Sequence, residues 1–282
     1  MVVACATLSA CASAPQTLPV APASPPAGMQ FLYGSGEAAA LSVQAFHALL
    51  DHVALAVQDR PAESVVLDQN ATLERPGFVP CGTKPFAAVF DVDETLILNL
   101  GFEYHDARTA KGYDAAAWDA WEKTGAGQVG AVPGAMDAVR GLRALGVTVI
   151  FNTNREAVNA GATALAIRNA GLGEAVHGSS LFLKGDDGIG SRKDGRRATI
   201  AAKYCVIAMG GDQLGDFSDL FNAGQPVATR RAVVMNGATA KLWGHGWFVL
   251  PNPVYGTALK GGFDDVFPTD KRWDMPAVKE AR

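Results

Sequence analysis

The amino-acid sequence predicts an α/β fold, a doubly wound parallel sheet with a smaller helical cap. Three apolar runs without polar alternation, at 85–90, 147–151 and 204–209, are typical of strands buried on both faces of a parallel sheet. Segments with helical periodicity separate these runs, and such alternation with right-handed crossovers gives a doubly wound sheet. With 282 residues, of which 49% are hydrophobic, the chain can bury one substantial core and a smaller cap.

Helical spacing of apolar residues predicts a long amphipathic helix from about Glu37 to Gln58. The remaining predicted elements are a crossover helix that stops at Gly146, a helix near 157–170, a weak strand at 181–183 and a last strand at 247–250. We expect a cap built from 31–80 and 100–132, a core built from 81–99 and 133–256, and a C-terminal tail at 257–282.

Two pairs of aspartates follow predicted strands. Asp91 and Asp93 come after the run 85–90, and Asp212 and Asp216 come after the run 204–209. Ligands bind outside the carboxyl ends of such strands, so we expect the four carboxylates to lie close together. Ordinary turn chemistry, or helix capping by Asp216, is the structural alternative. Four clustered carboxylates are costly without a cation, and their hard oxygen atoms suit Mg²⁺.

Groups suited to an anion lie between the two acidic pairs. Thr153 and Asn154 follow the run 147–151, where hydroxyl and backbone N–H groups suit a phosphoryl oxygen. Lys193 belongs to a short basic cluster before the Asp212 strand, and Lys184 is its rival as the phosphate-binding lysine. We prefer Lys193, while the lengthened loop at 185–190 keeps Lys184 as an alternative.

In this order the motifs resemble those of the haloacid-dehalogenase phosphatases, and in detail the class C bacterial acid phosphatases that include the lipoprotein e 5′-nucleotidases. The resemblance covers roughly Leu32 to Gly256. The segments that carry it are Asp91–Thr95, Trp118-x-x-Trp121, 133–135, Thr153–Arg155, Lys193-x-x-Arg196-Arg197, Gly211-Asp212 and 251–256. Each motif alone is weak, and the ordered set is specific.

The resemblance implies hydrolysis of phosphomonoesters through an aspartyl-phosphate. Asp91 would be the nucleophile, and Asp93 would protonate the leaving alkoxide and then deprotonate the attacking water. The phosphate would be bound by Thr153, Asn154 and Lys193. The implied ligands of Mg²⁺ are the Asp91 carboxylate, the Asp93 backbone carbonyl, Asp212 and Asp216.

Aromatic residues crowd the predicted cap and the segment after the last strand, and they could stack on a base. These tentative substrate residues are Phe102, Tyr104, Trp118, Trp121 and Tyr255. The expected substrate is a small-molecule phosphomonoester, either a 5′-nucleotide or nicotinamide mononucleotide, with broad specificity as the alternative. Two other functions stay open: a catalytically silent surface lipoprotein that binds a ligand such as haem, and a phosphotransferase.

The amino terminus predicts a membrane anchor. Leu8-Ser9-Ala10-Cys11 resembles a lipobox, although the upstream segment lacks the basic residues of a complete signal, so we expect 1–11 to be a truncated remnant. Residues 12–30 are rich in proline and alanine and predict a tether. We therefore expect lipidation at Cys11 and an outer-membrane or periplasm-facing lipoprotein. The sequence has no run of eighteen or more apolar residues, and its net charge of −4 gives no basic face for nucleic acid.

Cys81 and Cys205 precede the strands that carry the two acidic pairs. In the superfamily that the chain resembles, those strands are neighbours in the sheet. A disulfide in an oxidising compartment is one expectation, and two free thiols are the other.

Overall fold

The computed structural model describes residues 23–109 and 112–275. The predicted lipidation site Cys11 and the segment 1–11 lie outside these ranges. In the described part of the predicted tether, residues 27–30 are helical and Met29 is buried. This segment packs closely against the chain after the last strand, because a Cβ added at Gly28 would lie 2.1 Å from the carbonyl oxygen of Pro253.

Along the described chain the α-helices are α1 (Ala27–Met29), α2 (Gly36–Asp59), α3 (Leu100–Thr109), α4 (Ala115–Thr124), α5 (Ala135–Ala144), α6 (Ala160–Asn169), α7 (Asp194–Lys203), α8 (Val227–Asn236) and α9 (Phe263–Val266). The strands are β1 (Glu63–Leu67), β2 (Phe78–Pro80), β3 (Phe86–Phe90), β4 (Ile97–Leu98), β5 (Gly130–Ala131), β6 (Thr148–Glu156), β7 (Leu181–Lys184), β8 (Cys205–Gly211) and β9 (Trp247–Val249).

A five-stranded parallel sheet in the order β7-β6-β3-β8-β9 forms the core, which confirms the predicted fold class. The strands β3 and β8, which precede the two acidic pairs, are neighbours with Phe90 opposite Gly210. Every residue of β8 is buried, as expected of a central parallel strand. The predicted strand at 147–151 runs further, because β6 continues through the polar segment to Glu156.

Helix α2 begins at the Ser35 N-cap, whose side chain accepts a hydrogen bond from the Ala38 N–H group at 3.1 Å. We expected this helix in the cap, but it packs against α5, β8 and β9. The reason is its apolar stripe: Phe46, Leu49 and Val53 are buried in the main core cluster. By length and composition α2 is also the one helix of the described chain that could cross a membrane, and its core packing gives its apolar stripe a structural role.

The cap segment 100–129 contains α3 and α4, and α4 packs against α6. Strands β4 and β5, which pair in an antiparallel manner, join the two ends of this segment. The cap is therefore anchored directly after the β3 loop, above the carboxyl ends of the central strands.

A disulfide joins Cys81 to Cys205. Of the two expectations for these cysteines, a disulfide or two free thiols, the structure contains the disulfide. Cys81 precedes β3, and Cys205 is the first residue of β8 and pairs with Phe86. The cross-link thus joins the amino-terminal ends of the two strands whose carboxyl-terminal ends carry the acidic pairs.

Candidate active site

Three of the four predicted aspartates meet at one point. Oxygen atoms of Asp91, Asp212 and Asp216 all lie within 4.8 Å of one another. Asp91 follows β3 and Asp212 follows β8, while Asp216 lies in a 3₁₀ turn at Leu214–Asp216. Gly211 permits this turn to fold back on its own strand, because a Cβ at Gly211 would lie 2.3 Å from the Cβ of Asp216.

Lys193 supplies a positive charge to this cluster. Its Nζ atom contacts Asp91 Oδ1 and lies 2.7 Å from Asp216 Oδ1. The side chain is buried, which alone would lower the pKa of Lys193, but the two carboxylates outweigh burial and raise that pKa. The ammonium group therefore stays charged. Lys184, the rival lysine, lies 2.6 Å from Glu156 and lines the same cavity.

The Asp212 carboxylate is enclosed by hydrogen-bond donors. Thr95 Oγ1 donates at 3.1 Å, Gln213 Nε2 at 3.0 Å and Asn252 Nδ2 at 2.6 Å. Even so, burial and then the charge of Asp216 raise the pKa of Asp212 to about 7. A divalent cation would offset this accumulation of negative charge. The donor set, three carboxylates with hard oxygen atoms, fits a cation such as Mg²⁺.

The fourth predicted aspartate, Asp93, has different partners. Arg155 donates to Asp93 Oδ1 from Nε at 2.9 Å and from Nη2 at 2.8 Å. Asn99 Nδ2 donates to the same oxygen at 3.0 Å, and Thr153 Oγ1 donates to Oδ2 at 3.2 Å. Burial acts to raise the pKa of Asp93, but the Arg155 charge and these hydrogen bonds outweigh burial and lower it.

Thr153 lies beside Asp93, and Asn154 lines the cavity that Asp93 also lines. The Thr153 hydroxyl both donates to Asp93 and accepts from the Arg155 N–H group at 3.1 Å. Asn154 lines the cavity, and its Oδ1 atom accepts from Arg196 Nη2 at 2.6 Å. Arg196 also contacts the Thr153 carbonyl oxygen, so one buried arginine holds the backbone and side chain of this segment.

Glu94 turns the chain directly after Asp93 with a φ of 53°, a left-handed conformation that is uncommon for residues other than glycine. Its side chain accepts hydrogen bonds from Tyr33 Oη at 3.2 Å, Tyr255 Oη at 2.5 Å and the Asn99 backbone N–H group at 2.9 Å. Burial, followed by the charge of Asp93, raises the pKa of Glu94 to about 7. The loop that carries Asp91 and Asp93 is thus held by segments before α2 and after β9.

A cavity of about 650 Å³ extends from the aspartate cluster to the cap. Of the five aromatic residues predicted to contact substrate, Phe102, Trp118 and Tyr255 line it. The rings of Phe102 and Trp118 meet edge to face with centroids 4.9 Å apart. The other two lie elsewhere. Tyr104 is 65% exposed on α3 outside the cavity lining, and Trp121 donates its Nε1 hydrogen bond to Asn99 Oδ1 at 2.9 Å.

Sequence reasoning gave no role to several residues of this site. Arg155, Asn99 and Glu94 surround Asp93, and Asn252 donates to Asp212. Arg155 and Asn252 belong to segments that carry the family resemblance, so their positions in the motifs were a usable signal. Asn99 had no such signal, because its role depends on where α3 begins.

The fold and this site define an α/β enzyme of the haloacid-dehalogenase type. More narrowly, a model of the acid phosphatase family of that superfamily, subfamily IIIB, matches residues 45–258. The match spans more than half of the chain, and the chain therefore belongs to this family. It is a phosphomonoesterase, as the sequence predicts.

Two solved structures share the fold. The class C acid phosphatase from Bacillus anthracis is 23% identical, with a TM-score of 0.67, and the match covers 82% of this chain and 84% of that chain. The same enzyme with tungstate bound is 24% identical over the same shares, with a TM-score of 0.66. Both comparisons support a class C acid phosphatase fold.

Proposed function

We propose that this chain is a Mg²⁺-dependent acid phosphatase that hydrolyses phosphomonoesters through an aspartyl-phosphate on Asp91. The observation that carries the proposal is the arrangement of Lys193, whose ammonium group lies between the carboxylates of Asp91 and Asp216. A buried cation next to a strand-end carboxylate compensates the charge of an incoming phosphate, and Lys193 also opposes the effect of burial, which raises the pKa of Asp91.

In the first step an Asp91 carboxylate oxygen attacks phosphorus, and the bond between phosphorus and the ester oxygen breaks. The leaving oxygen takes a proton from Asp93, so that an alcohol is released. In the second step Asp93 takes a proton from water, the water oxygen bonds to phosphorus, and Asp91 leaves as a carboxylate. Inorganic phosphate is the product, and both aspartates return to their starting protonation states.

This cycle needs Asp93 in its protonated form at the first step. Because Arg155 lowers the pKa of Asp93, only a small fraction of the resting enzyme carries that proton at neutral pH. Acidic conditions increase this fraction, which is consistent with the acid phosphatase family. Phosphate oxygens would be bound by Lys193, Thr153 and Asn154, of which Lys193 and Asn154 line the cavity.

The proposed ligands of Mg²⁺ are the carboxylates of Asp91, Asp212 and Asp216 together with the Asp93 backbone carbonyl. When bound, the ion supplies charge stabilisation at the phosphoryl group. The clustered oxygen atoms and the raised pKa of Asp212 support a cation at this position. Asp212 is held for that purpose by Thr95 and Asn252.

The proposed substrates are 5′-nucleotides or nicotinamide mononucleotide. The cavity of about 650 Å³ has room for a leaving group of that size beside the phosphate, and Phe102, Trp118 and Tyr255 offer aromatic surface there. A phosphotransferase would use the same residues with an alcohol in place of water as the second acceptor. We further propose lipidation at Cys11 and an outer-membrane or periplasm-facing location, which rest on the sequence alone.

Phosphate release from AMP, nicotinamide mononucleotide and an aryl phosphate, at about pH 5–6 with Mg²⁺ or with EDTA, tests this proposal. The decisive variant is Asp91→Asn, and Asp137→Asn, an exposed residue with a 75% accessible side chain, is the matched control. We expect metal-dependent turnover that is lost only in Asp91→Asn. Turnover retained in Asp91→Asn would refute the aspartyl-phosphate mechanism. Turnover unaffected by EDTA would refute the proposed dependence on Mg²⁺.

A further inference from the structure

The cavity wall contains two acidic residues that the proposed chemistry does not use. Glu103 and Asp106 both lie on α3 and line the cavity. Their spacing of three residues places them on one face of the helix. Glu103 is 5% exposed, so little of the residue contacts bulk water. Burial of a carboxylate is costly unless a partner compensates its charge.

None of the residues that the structure describes provides that partner. Within residues 23–109 and 112–275 the Glu103 side chain has no hydrogen bond and no ion pair. Of the described residues, two lysines line the cavity, and both are engaged elsewhere: Lys184 with Glu156 at 2.6 Å, and Lys193 with Asp91 and Asp216. Burial, followed by the charges of nearby carboxylates, raises the pKa of Glu103 to about 8. No cationic side chain of the described residues therefore pairs with the Glu103 carboxyl group.

Aromatic surface lies next to this carboxyl group. Phe102 precedes Glu103 on α3 and lines the cavity together with Trp118, whose ring is 4.9 Å away between centroids. A cationic nitrogen is attracted both by a carboxylate and by the face of an aromatic ring. The combination favours a ligand group that is positively charged and attached to a flat or apolar body.

We propose that Glu103 selects phosphomonoesters whose leaving group carries a cationic nitrogen, which pairs with its carboxylate while the attached body packs on Phe102 and Trp118. This inference rests on the proposed function, because it assigns the cavity to the leaving group. It goes further by naming the residue that discriminates among leaving groups and the charge that this residue prefers. Asp106 adds negative charge on the same helix face.

Two esters of nearly equal shape test this selection. In 4-(aminomethyl)benzyl phosphate an ammonium group takes the place of the terminal methyl group of 4-ethylbenzyl phosphate. Their dissociation constants are measured by calorimetry at neutral pH with Mg²⁺, in full-length protein that carries Asp91→Asn. Glu103→Gln and Glu103→Asp are each added to this background, and Glu174→Gln, at an exposed position, is the matched control. Gln keeps the shape and hydrogen-bonding capacity of a neutral carboxyl group, and thermal unfolding checks that each variant is folded.

We expect the parent protein and Glu174→Gln to bind the ammonium ester more tightly than the ethyl ester. Glu103→Gln should reduce this preference about tenfold or more, since a charge-assisted contact is lost, while affinity for the ethyl ester changes little. Glu103→Asp, which withdraws the carboxylate by one methylene group, should give an intermediate preference. An unchanged preference in folded Glu103→Gln, or no preference in the parent protein, overturns the proposal.

Turnover of both esters by protein with Asp91 intact is measured separately. If neither ester is turned over, the proposed function is contradicted. The binding preference would still decide whether Glu103 selects a cationic group, so the two failures are distinguishable.

Discussion

Arg155 binds Asp93 through two nitrogen atoms, with Nε 2.9 Å and Nη2 2.8 Å from Asp93 Oδ1. The same guanidinium group donates to Asn99 Oδ1 at 2.7 Å, and its side chain is 2% exposed. Two residues that lie 62 positions apart in sequence thus form a largely buried ion pair at the carboxyl ends of β3 and β6. The pair sets the charge of the proposed general acid.

Replacement of this arginine should destabilise the protein in a pH-dependent manner. Arg155→Gln leaves a largely buried carboxylate without its cation, at a cost of about 3–5 kcal/mol in the free energy of unfolding at neutral pH. Because the folded-state pKa of Asp93 is lowered, the ion pair stabilises the fold above the unfolded-state pKa and loses this effect as pH falls through the folded-state pKa. Urea unfolding of both proteins at neutral and acidic pH measures the difference. A difference of equal size at both pH values would indicate lost packing instead.

The two lysines of the cavity should differ sharply in their effect on turnover. Lys193→Ala removes the buried charge between Asp91 and Asp216 and should lower kcat by about 100- to 1000-fold. Lys184→Ala removes a pair with Glu156 whose side chains are 37% and 41% exposed, and should change kcat little. Steady-state kinetics on one ester compares them. A larger loss in Lys184→Ala would make Lys184 the phosphate-binding lysine.

Substitution of two aromatic residues of α3 should distinguish a ring that contacts the substrate from a ring that lies on the surface. Phe102→Leu removes a ring that lines the cavity and should raise KM for AMP by about threefold to tenfold. Tyr104→Leu changes a ring that is exposed on the same helix and should leave KM unchanged. Inorganic phosphate inhibits without a leaving group, so its inhibition constant should stay constant in both variants. An equal change in KM for Tyr104→Leu would contradict the assignment.

Metal binding should stabilise the protein more at higher pH. Burial and the charge of Asp216 raise the pKa of Asp212 to about 7. Ionisation of Asp212 therefore destabilises the folded state. Its protonated form therefore favours the fold below the unfolded-state pKa, and this contribution is lost as pH rises through about 7. Since Mg²⁺ competes with that proton, the rise in Tm on adding Mg²⁺ should be larger at about pH 8 than at about pH 5. Asp212→Asn should abolish most of the rise, and Asp137→Asn should retain it. An undiminished rise in Asp212→Asn would place the ion elsewhere.

Reduction of the Cys81–Cys205 disulfide should lower stability with little effect on kcat. The bond closes a segment with a sequence separation of 124, and loss of such a cross-link costs about 2–5 kcal/mol. The proposed catalytic aspartates follow the opposite ends of the same strands. Urea unfolding with and without dithiothreitol measures the cost, and Cys81→Ala/Cys205→Ala should be insensitive to the reductant. A large fall in kcat on reduction, at a denaturant concentration of zero, would show that the cross-link also positions the site.

The sequence predicted the sheet and its acidic edge because both depend on local patterns. Continuous apolar runs identified β3, β6 and β8, and parallel strands necessarily bring their carboxyl ends together. For that reason Asp91 and Asp212 could be placed near each other without coordinates. Lys193 was preferred over Lys184 from its neighbours in the basic cluster, and the structure places it against Asp91.

Other features depend on packing that periodicity does not encode. The apolar stripe of α2 predicts a helix but does not determine which surface packs against it. The helix lies on the sheet core instead of in the cap. Tyr104 and Trp121 have aromatic side chains, as Phe102 and Trp118 do, yet of these four residues only Phe102 and Trp118 line the cavity. The direction of each ring is set by the way α3 and α4 pack, which sequence spacing alone does not determine.

The contacts of Glu94 bear on when the protein becomes competent during its synthesis. Tyr33, before α2, and Tyr255, after β9, both hold this residue in its left-handed turn. A nascent chain that ends within β8 already contains Asp91, Asp93 and Lys193, but it lacks Tyr255 and the Asn252 amide that holds Asp212. The candidate site can therefore be completed only after the last strand of the sheet has left the ribosome, and shorter intermediates of translation carry the proposed nucleophile without the contacts of Tyr255 and Asn252.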